Sequence, residues 1–304
     1  MSVENVVINH ERIAEVIQTS LEAGRNHRLL FREGYAPERD FIQLISKYSK
    51  AYGNEMFEHN ALFLNTSMVY GDSTARLFRR ISDTSKFEKF AWVFEPEKAL
   101  QDEEKTISAL LNFYQPGNNK NAIYEWGHNC EILVARYGGD IRNFFRENEN
   151  DALKIIDSLV VYPHKKGKEG LRRFGPKLSR LYLQWVTQYG LYRLKNAEKI
   201  GVPVDFQVAR LLIQTKGLVL EKPSRKHLVS EVILTPFLAQ MCIDNGWNPR
   251  EVSEVLWTIG ERGCNKAQHD NCPLEAICTS LISRKRYDKE GIFDPKDIGR
   301  YNIG

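Results

Sequence analysis

No segment of the chain approaches the ~20 consecutive apolar residues that span a bilayer, so no membrane partner is expected. The opening residues Met1-Ser2-Val3-Glu4-Asn5 lack the basic and apolar regions of a secretory signal, which points to a cytoplasmic, nucleoid-associated or otherwise intracellular protein. Cysteine is scarce: five residues in 304, an odd number gathered towards one end. That distribution argues against a disulfide framework and suits thiols kept reduced for a metal. Internal repeats, low-complexity tracts and flexible linkers are missing. Few segments alternate apolar and polar residues for long enough to build a sheet. Disorder is excluded in turn by 42% hydrophobic against 27% charged residues.

What is present is helical periodicity. Ile13, Ile17 and Leu21 recur at helix spacing, as do Phe41, Leu44, Ile45 and Tyr48. Cys130, Leu133, Val134 and Tyr137 form another stripe, stopped by Gly138-Gly139. Leu178, Leu181, Tyr182, Trp185 and Val186 give a strong one, followed by Val208, Leu211 and Leu212, then Val229 to Met241, then Val252, Val255, Leu256 and Ile259. The expected class is all-α, with residues 1–54 an N-terminal helical extension.

Charge is uneven. The whole chain carries a net +4, yet residues 164–180 hold Lys165, Lys166, Lys168, Arg172, Arg173, Lys177 and Arg180 against the single acid Glu169. Such a run is either a solvated face or a phosphate-binding patch. Within it, Gly175 precedes a helical stretch that opens with Pro176, a residue suited to a first helical turn. Unpaired backbone N–H groups at that helix start suit a phosphate. The plainer reading is an ordinary helix connection. Asp205 lies 28 residues beyond Lys177, just before an apolar helical run, where it reads as an N-cap.

Near the C-terminus Cys264, Cys272 and Cys278 share fifteen residues with His269. Soft donors collect this densely around zinc or an iron–sulfur cluster. Cys242 competes with His269 as the fourth ligand. A helix over residues 249–260 would hold Cys242 ~15–20 Å from Cys264 at the usual rise per residue, which favours His269.

Leu171 to Ser179 resembles the helix-hairpin-helix motif of the endonuclease III-like DNA glycosylase superfamily (HhH-GPD), L-P-G-V-G-x-K-x-A. Leu171, Gly175 and Lys177 match, and Ser179 takes the small-residue place. Val202-Pro203-Val204-Asp205 is similar to the family's V-P-V-D segment. Residues 117–141 resemble the helix before the hairpin, residues 57–78 weakly resemble the opening helix pair, and likeness runs from about residue 55 to 280. Arg172 and Arg173 replace the hairpin proline and first glycine, and Gln207 stands where many members have histidine. Of the family's cysteine spacing, C-x6-C-x2-C-x5-C, the last step is met by Cys272 and Cys278; Cys264 stands first in a loop two residues shorter, with His269 in the second cysteine's place.

The resemblance implies a two-lobed helical glycosylase-like fold over residues 55–260, with a metal-cluster loop and tail over 261–304. It implies a monomer acting on double-stranded DNA that carries a damaged or modified base, in repair or in defence against modified foreign DNA. Lys165, Lys166, Arg172, Arg173 and Gly175 would grip phosphate. Asp205 would stabilise the oxocarbenium-like sugar left as the N-glycosidic bond breaks. The Lys177 amine would attack C1′ in a bifunctional glycosylase and AP lyase, or would contact phosphate in a monofunctional one. Cys264, His269, Cys272 and Cys278 would hold a 4Fe-4S cluster, with zinc as the alternative. Two other readings stay open: a non-catalytic DNA-binding module of the same fold, and a nucleoside or RNA glycosidase.

Overall fold

The structure, a computed structural model, describes residues 6–32, 37–69, 74–114, 121–160, 170–225, 228–264, 271–278, 280–282, 292–293 and 298–300. It is mostly helical, as the periodicity predicts. The chain divides into a central unit, Ala36–Ile200, and a terminal unit that joins Met1–Tyr35 to Gly201–Gly304. Residues 1–54 are therefore shared between the two.

The terminal unit begins with strand β1 (Val6–Ile8) and helix α1 (His10–Arg25). Asn9 caps α1, its side chain accepting the Arg12 N–H at 3.0 Å. Ile13, Val16, Ile17 and Leu21 put an apolar stripe on one helix face, and that stripe is buried.

The central unit follows as α2 (Pro37–Tyr52), α3 (Glu55–Met68), α4 (Thr74–Ile81), α5 (Thr84–Phe90), a 3-10 turn (Ala91–Phe94), α6 (Pro96–Leu100), α7 (Glu103–Tyr114), α8 (Asn121–Tyr137), α9 (Ile141–Glu147), α10 (Ala152–Val160) and α11 (Pro176–Gln188). Helix α3 is its axis: every side chain from His59 to Met68 is buried. A helix apolar or satisfied on all sides belongs inside a bundle, and α2, α8, α9 and α11 pack around this one. Polar groups there need partners. Asn60 finds them, donating to the Gly139 carbonyl at 2.6 Å and accepting the Ile141 N–H at 3.0 Å. Gly138 and Gly139 take φ of 58° and 76°, so the paired glycines end α8 as the sequence predicts. Phe41, Phe57, Phe87 and Phe94 form the aromatic centre, with ring centroids about 6 Å apart.

The chain then returns to the terminal unit with α12 (Phe206–Gln214), β2 (Leu218–Leu220), a π-helical segment (Leu228–Leu234), α13 (Thr235–Asp244), α14 (Pro249–Thr258) and a second π-helical turn (Ile259–Cys264). β2 pairs antiparallel with β1, Val7 facing Val219. Helix α1 packs on α14, and Arg25 reaches Glu251 at 2.6 Å. The remaining strand pairs are short, Ser224–Arg225 with Ile292–Phe293 and Ser280–Ile282 with Ile298–Arg300.

Candidate nucleic-acid interface and cysteine loop

Side chains of helix α8 hold the segment 170–172 that leads into α11. Asn129, fully buried, accepts the Arg172 N–H at 2.7 Å and donates to the Arg172 carbonyl at 3.3 Å. One turn away Glu125 meets the Arg172 guanidinium at 3.1 Å, and His128 Nε2 lies 3.0 Å from the Gly170 carbonyl. Phe174 turns inward and stacks on Phe63, centroids 4.9 Å apart and planes 8° from parallel.

The tight turn is made by Arg173, whose φ is 72°. That left-handed region costs a residue with a Cβ about 1–2 kcal/mol, and glycine fills it freely. The Arg173 Nε donates to the Ser67 carbonyl of α3 at 2.7 Å. Gly175 is extended, with φ −93° and ψ 178°, and a Cβ there would meet nothing. It stands at the N-cap of α11, where its carbonyl accepts the Ser179 N–H at 3.0 Å and Pro176 opens the first turn. Lys177 sits next in that turn, half-buried.

The basic run is less loose than its composition suggests. Arg172 and Arg173 are held as above, and Arg180 donates to the Pro176 carbonyl at 2.9 Å. Lys165 and Lys166 lie outside the described residues.

Asp205 belongs to the terminal unit. Val202 and Val204 beside it are buried, and its Oδ1 accepts the N–H groups of Gln207 at 2.8 Å and Val208 at 3.2 Å. It is the N-cap of α12, where the helix dipole favours a carboxylate.

Sequence reasoning missed the polar network around α12. Every side chain of this helix is buried, Arg210 included. Its guanidinium lies 5.0 Å from the Phe206 ring centroid, donates to the Gly260 carbonyl at 2.5 Å and to Gln207 Oε1 at 2.6 Å. Gln207 in turn donates to Glu261 at 2.9 Å. A Cβ on Gly260 would lie 2.8 Å from Gln207 Cβ and 2.9 Å from its carbonyl oxygen, so only glycine allows this approach. The one available signal was an arginine inside a run of apolar residues. The network ties the Asp205 helix to the turn that ends at Cys264.

Leu274, fully buried, anchors the cysteine loop, and its carbonyl accepts the N–H groups of Ile277 and Cys278. Burial pushes the Cys264 thiol up to about 12, with Arg210 opposing, and burial pushes Cys272 up to about 11. Cys272 and Cys278 both act on Cys264, so the three thiols are within electrostatic reach of one another. Gly263 backs them, since a Cβ there would lie 3.7 Å from Cys272 Sγ. Cys242 is buried in α13, and burial alone pushes its thiol up to about 12. Three soft donors beside a cation fit a thiolate-bound centre in chemical type. Among the described residues, however, no group of three or more His, Cys, Asp or Glu side chains is arranged to hold an ion, and His269 lies outside them. No helix among the described residues is long and apolar enough to cross a membrane.

No protein-family model matches this chain, and no curated protein matches it either.

Proposed function

We propose that the protein is a DNA glycosylase that removes a damaged or modified base from double-stranded DNA. The observation that carries the reading is the left-handed backbone at Arg173. Arg173 stands where the resemblance has the first hairpin glycine, and it keeps a positive φ with its own Nε tethered to Ser67. The half-buried Lys177 in the first turn of α11 and the capping Asp205 of α12 add the two groups that the chemistry needs.

Excision needs the target nucleotide out of the stack, because the sugar carbon is unreachable inside the duplex. Loss of the base leaves positive charge on the sugar, which the Asp205 carboxylate would offset. In the bifunctional form, the Lys177 amine attacks C1′ as the base departs with the bonding pair, and loss of the amine proton and ring opening give a Schiff base. In the monofunctional form water takes that place. Cys264, Cys272, Cys278 and His269 would hold a 4Fe-4S cluster or zinc, which supplies a cross-link for the loop. The protein would act as a monomer in the cytoplasm or nucleoid.

The test is release of free base from duplexes carrying oxidised, alkylated or hypermodified bases, with borohydride trapping of any covalent adduct. Activity lost in Asp205→Asn and trapping lost in Lys177→Ala are expected. Full excision by Asp205→Asn would refute the catalytic assignment. Salt-sensitive duplex binding with no base released from any substrate would leave the non-catalytic module.

A further inference from the structure

The central unit contains a cleft of about 840 Å³ that the proposed glycosylase chemistry does not use. It opens between α5, the 3-10 turn after it and α7. Its walls carry Lys86, Lys89 and Lys105, the rings of Phe90 and Trp92, and the amide of Asn112, with no acid among them. Volumes of roughly 300–1,000 Å³ are usual for ligand sites.

The three lysines are solvent-exposed and none forms an ion pair among the described residues. Two of them lie against the aromatic rings instead. Lys89 Nζ is 5.2 Å from the Phe90 centroid, and Lys105 Nζ is 5.2 Å from that of Trp92. Asp83, the nearby acid that acts on Lys86, is committed as the cap of α5: it accepts the N–H groups of Ser85 and Lys86 and the Ser85 hydroxyl. Trp92 and Phe90 are half-buried, packed on the core along one side. Cations stationed beside partly exposed rings are what a ligand with both a phosphate and a flat base requires.

We propose that this cleft binds a nucleotide, with its phosphate on Lys86, Lys89 and Lys105 and its base against Trp92. The nucleotide comes either from single-stranded nucleic acid or from a free mononucleotide. A paired base inside a duplex presents no ring face, so the site is separate from one that grips duplex DNA. Its ligand is independent of the glycosylase reading.

The experiment follows a fluorescein-labelled oligothymidylate binding to the full-length protein across a salt series. Replacing all three lysines by alanine should lower the slope of log affinity against log salt by about 0.7, the value of one phosphate contact on a single strand. Trp92→Ala should weaken binding on the order of tenfold. Trp92 also packs on the core, so the surface lysine variant decides the matter if Trp92→Ala does not fold. Ultraviolet cross-linking should place the adduct in residues 85–112, and Lys177→Ala should leave it there. Thymidine monophosphate competing weakly assigns the site to single strands; competing as well per nucleotide assigns it to free nucleotides. The proposal is overturned if the triple variant binds like the parent protein, or if polyglutamate displaces the oligonucleotide as well as thymidylate does. Unchanged base excision by the triple variant would keep this outcome apart from the fate of the glycosylase assignment.

Discussion

Arg173 holds a left-handed backbone, φ 72°, while its Nε donates to the carbonyl of Ser67 at 2.7 Å. The side chain thus fixes in place a conformation that its own Cβ opposes. Arg173→Ala removes the hydrogen bond and keeps the strain. Arg173→Gly removes both. The glycine variant should therefore be more stable than the alanine variant by roughly 1 kcal/mol, the reverse of the order in a helix. Urea denaturation of the two proteins checks this. An alanine variant equal to or more stable than the glycine variant would place the turn elsewhere.

The α12 network gives a second expectation. Gly260→Ala puts a Cβ within 3 Å of Gln207 Cβ and its carbonyl oxygen, both on an element with no room to retreat. A loss of about 2–3 kcal/mol is expected, in the range of overpacked cores. Arg210→Met keeps the volume but leaves the Gly260 carbonyl and Gln207 without their donor, at a cost of about 1–3 kcal/mol for each group left unpaired. The two losses should not add, because both variants disturb one contact. Denaturation of both single variants and the double variant measures the coupling.

Much of the fold is legible in the sequence alone. The stripes of α1, α11 and α14 appear at the residues where periodicity puts them, because one-sided burial is a local property of a helix. The same holds for the Gly138-Gly139 stop. Other features are not local. Strand β1 has three residues, and its partner β2 lies more than two hundred positions away, so neither carries an alternating pattern long enough to notice. The left-handed Arg173 is hidden because nothing in the letter signals positive φ, and only its tethers on Asn129 and Ser67 reveal why the turn holds. Arg210 reads as a surface residue until Phe206, Gln207 and Gly260 close around it. Helix existence follows from sequence period; the roles of single charged residues follow from contacts between distant segments.

His59 on α3 supplies a pH test. Burial, with the Arg142 guanidinium also opposing a second positive charge and Asp140 partly compensating, lowers its pKa to about 4 from the ordinary 6.5. The folded protein therefore keeps this imidazole neutral where the unfolded chain would bind a proton. Its contribution is complete above pH 6.5, is lost as pH falls towards 4 and changes no further below that. The full loss amounts to roughly 3 kcal/mol at most. Denaturation midpoints measured between these limits should fall less steeply with acidity in His59→Gln than in the parent protein. Parallel profiles would show that other groups carry the acid sensitivity.

The cysteine loop makes the last prediction. Cys264, Cys272 and Cys278 influence one another electrostatically, and Arg210 stands by Cys264 as the cation that thiolates would require. Cys242 shares none of this, since burial alone acts on it. Under the proposed cluster, protein purified without oxygen should contain iron and sulfide and show the visible absorption of an iron–sulfur centre. Serine at position 264, 272 or 278 should abolish that signal, and His269→Ala should weaken or remove it, whereas Cys242→Ser should retain it. Arg210→Met should make the cluster easier to lose, because a compensating charge that acts on Cys264 is gone. Zinc alone in the purified protein, still held by the three loop cysteines, would replace the cluster with a structural zinc site and leave the ligand set standing. Metal retained in full by all three cysteine variants would remove the loop from consideration.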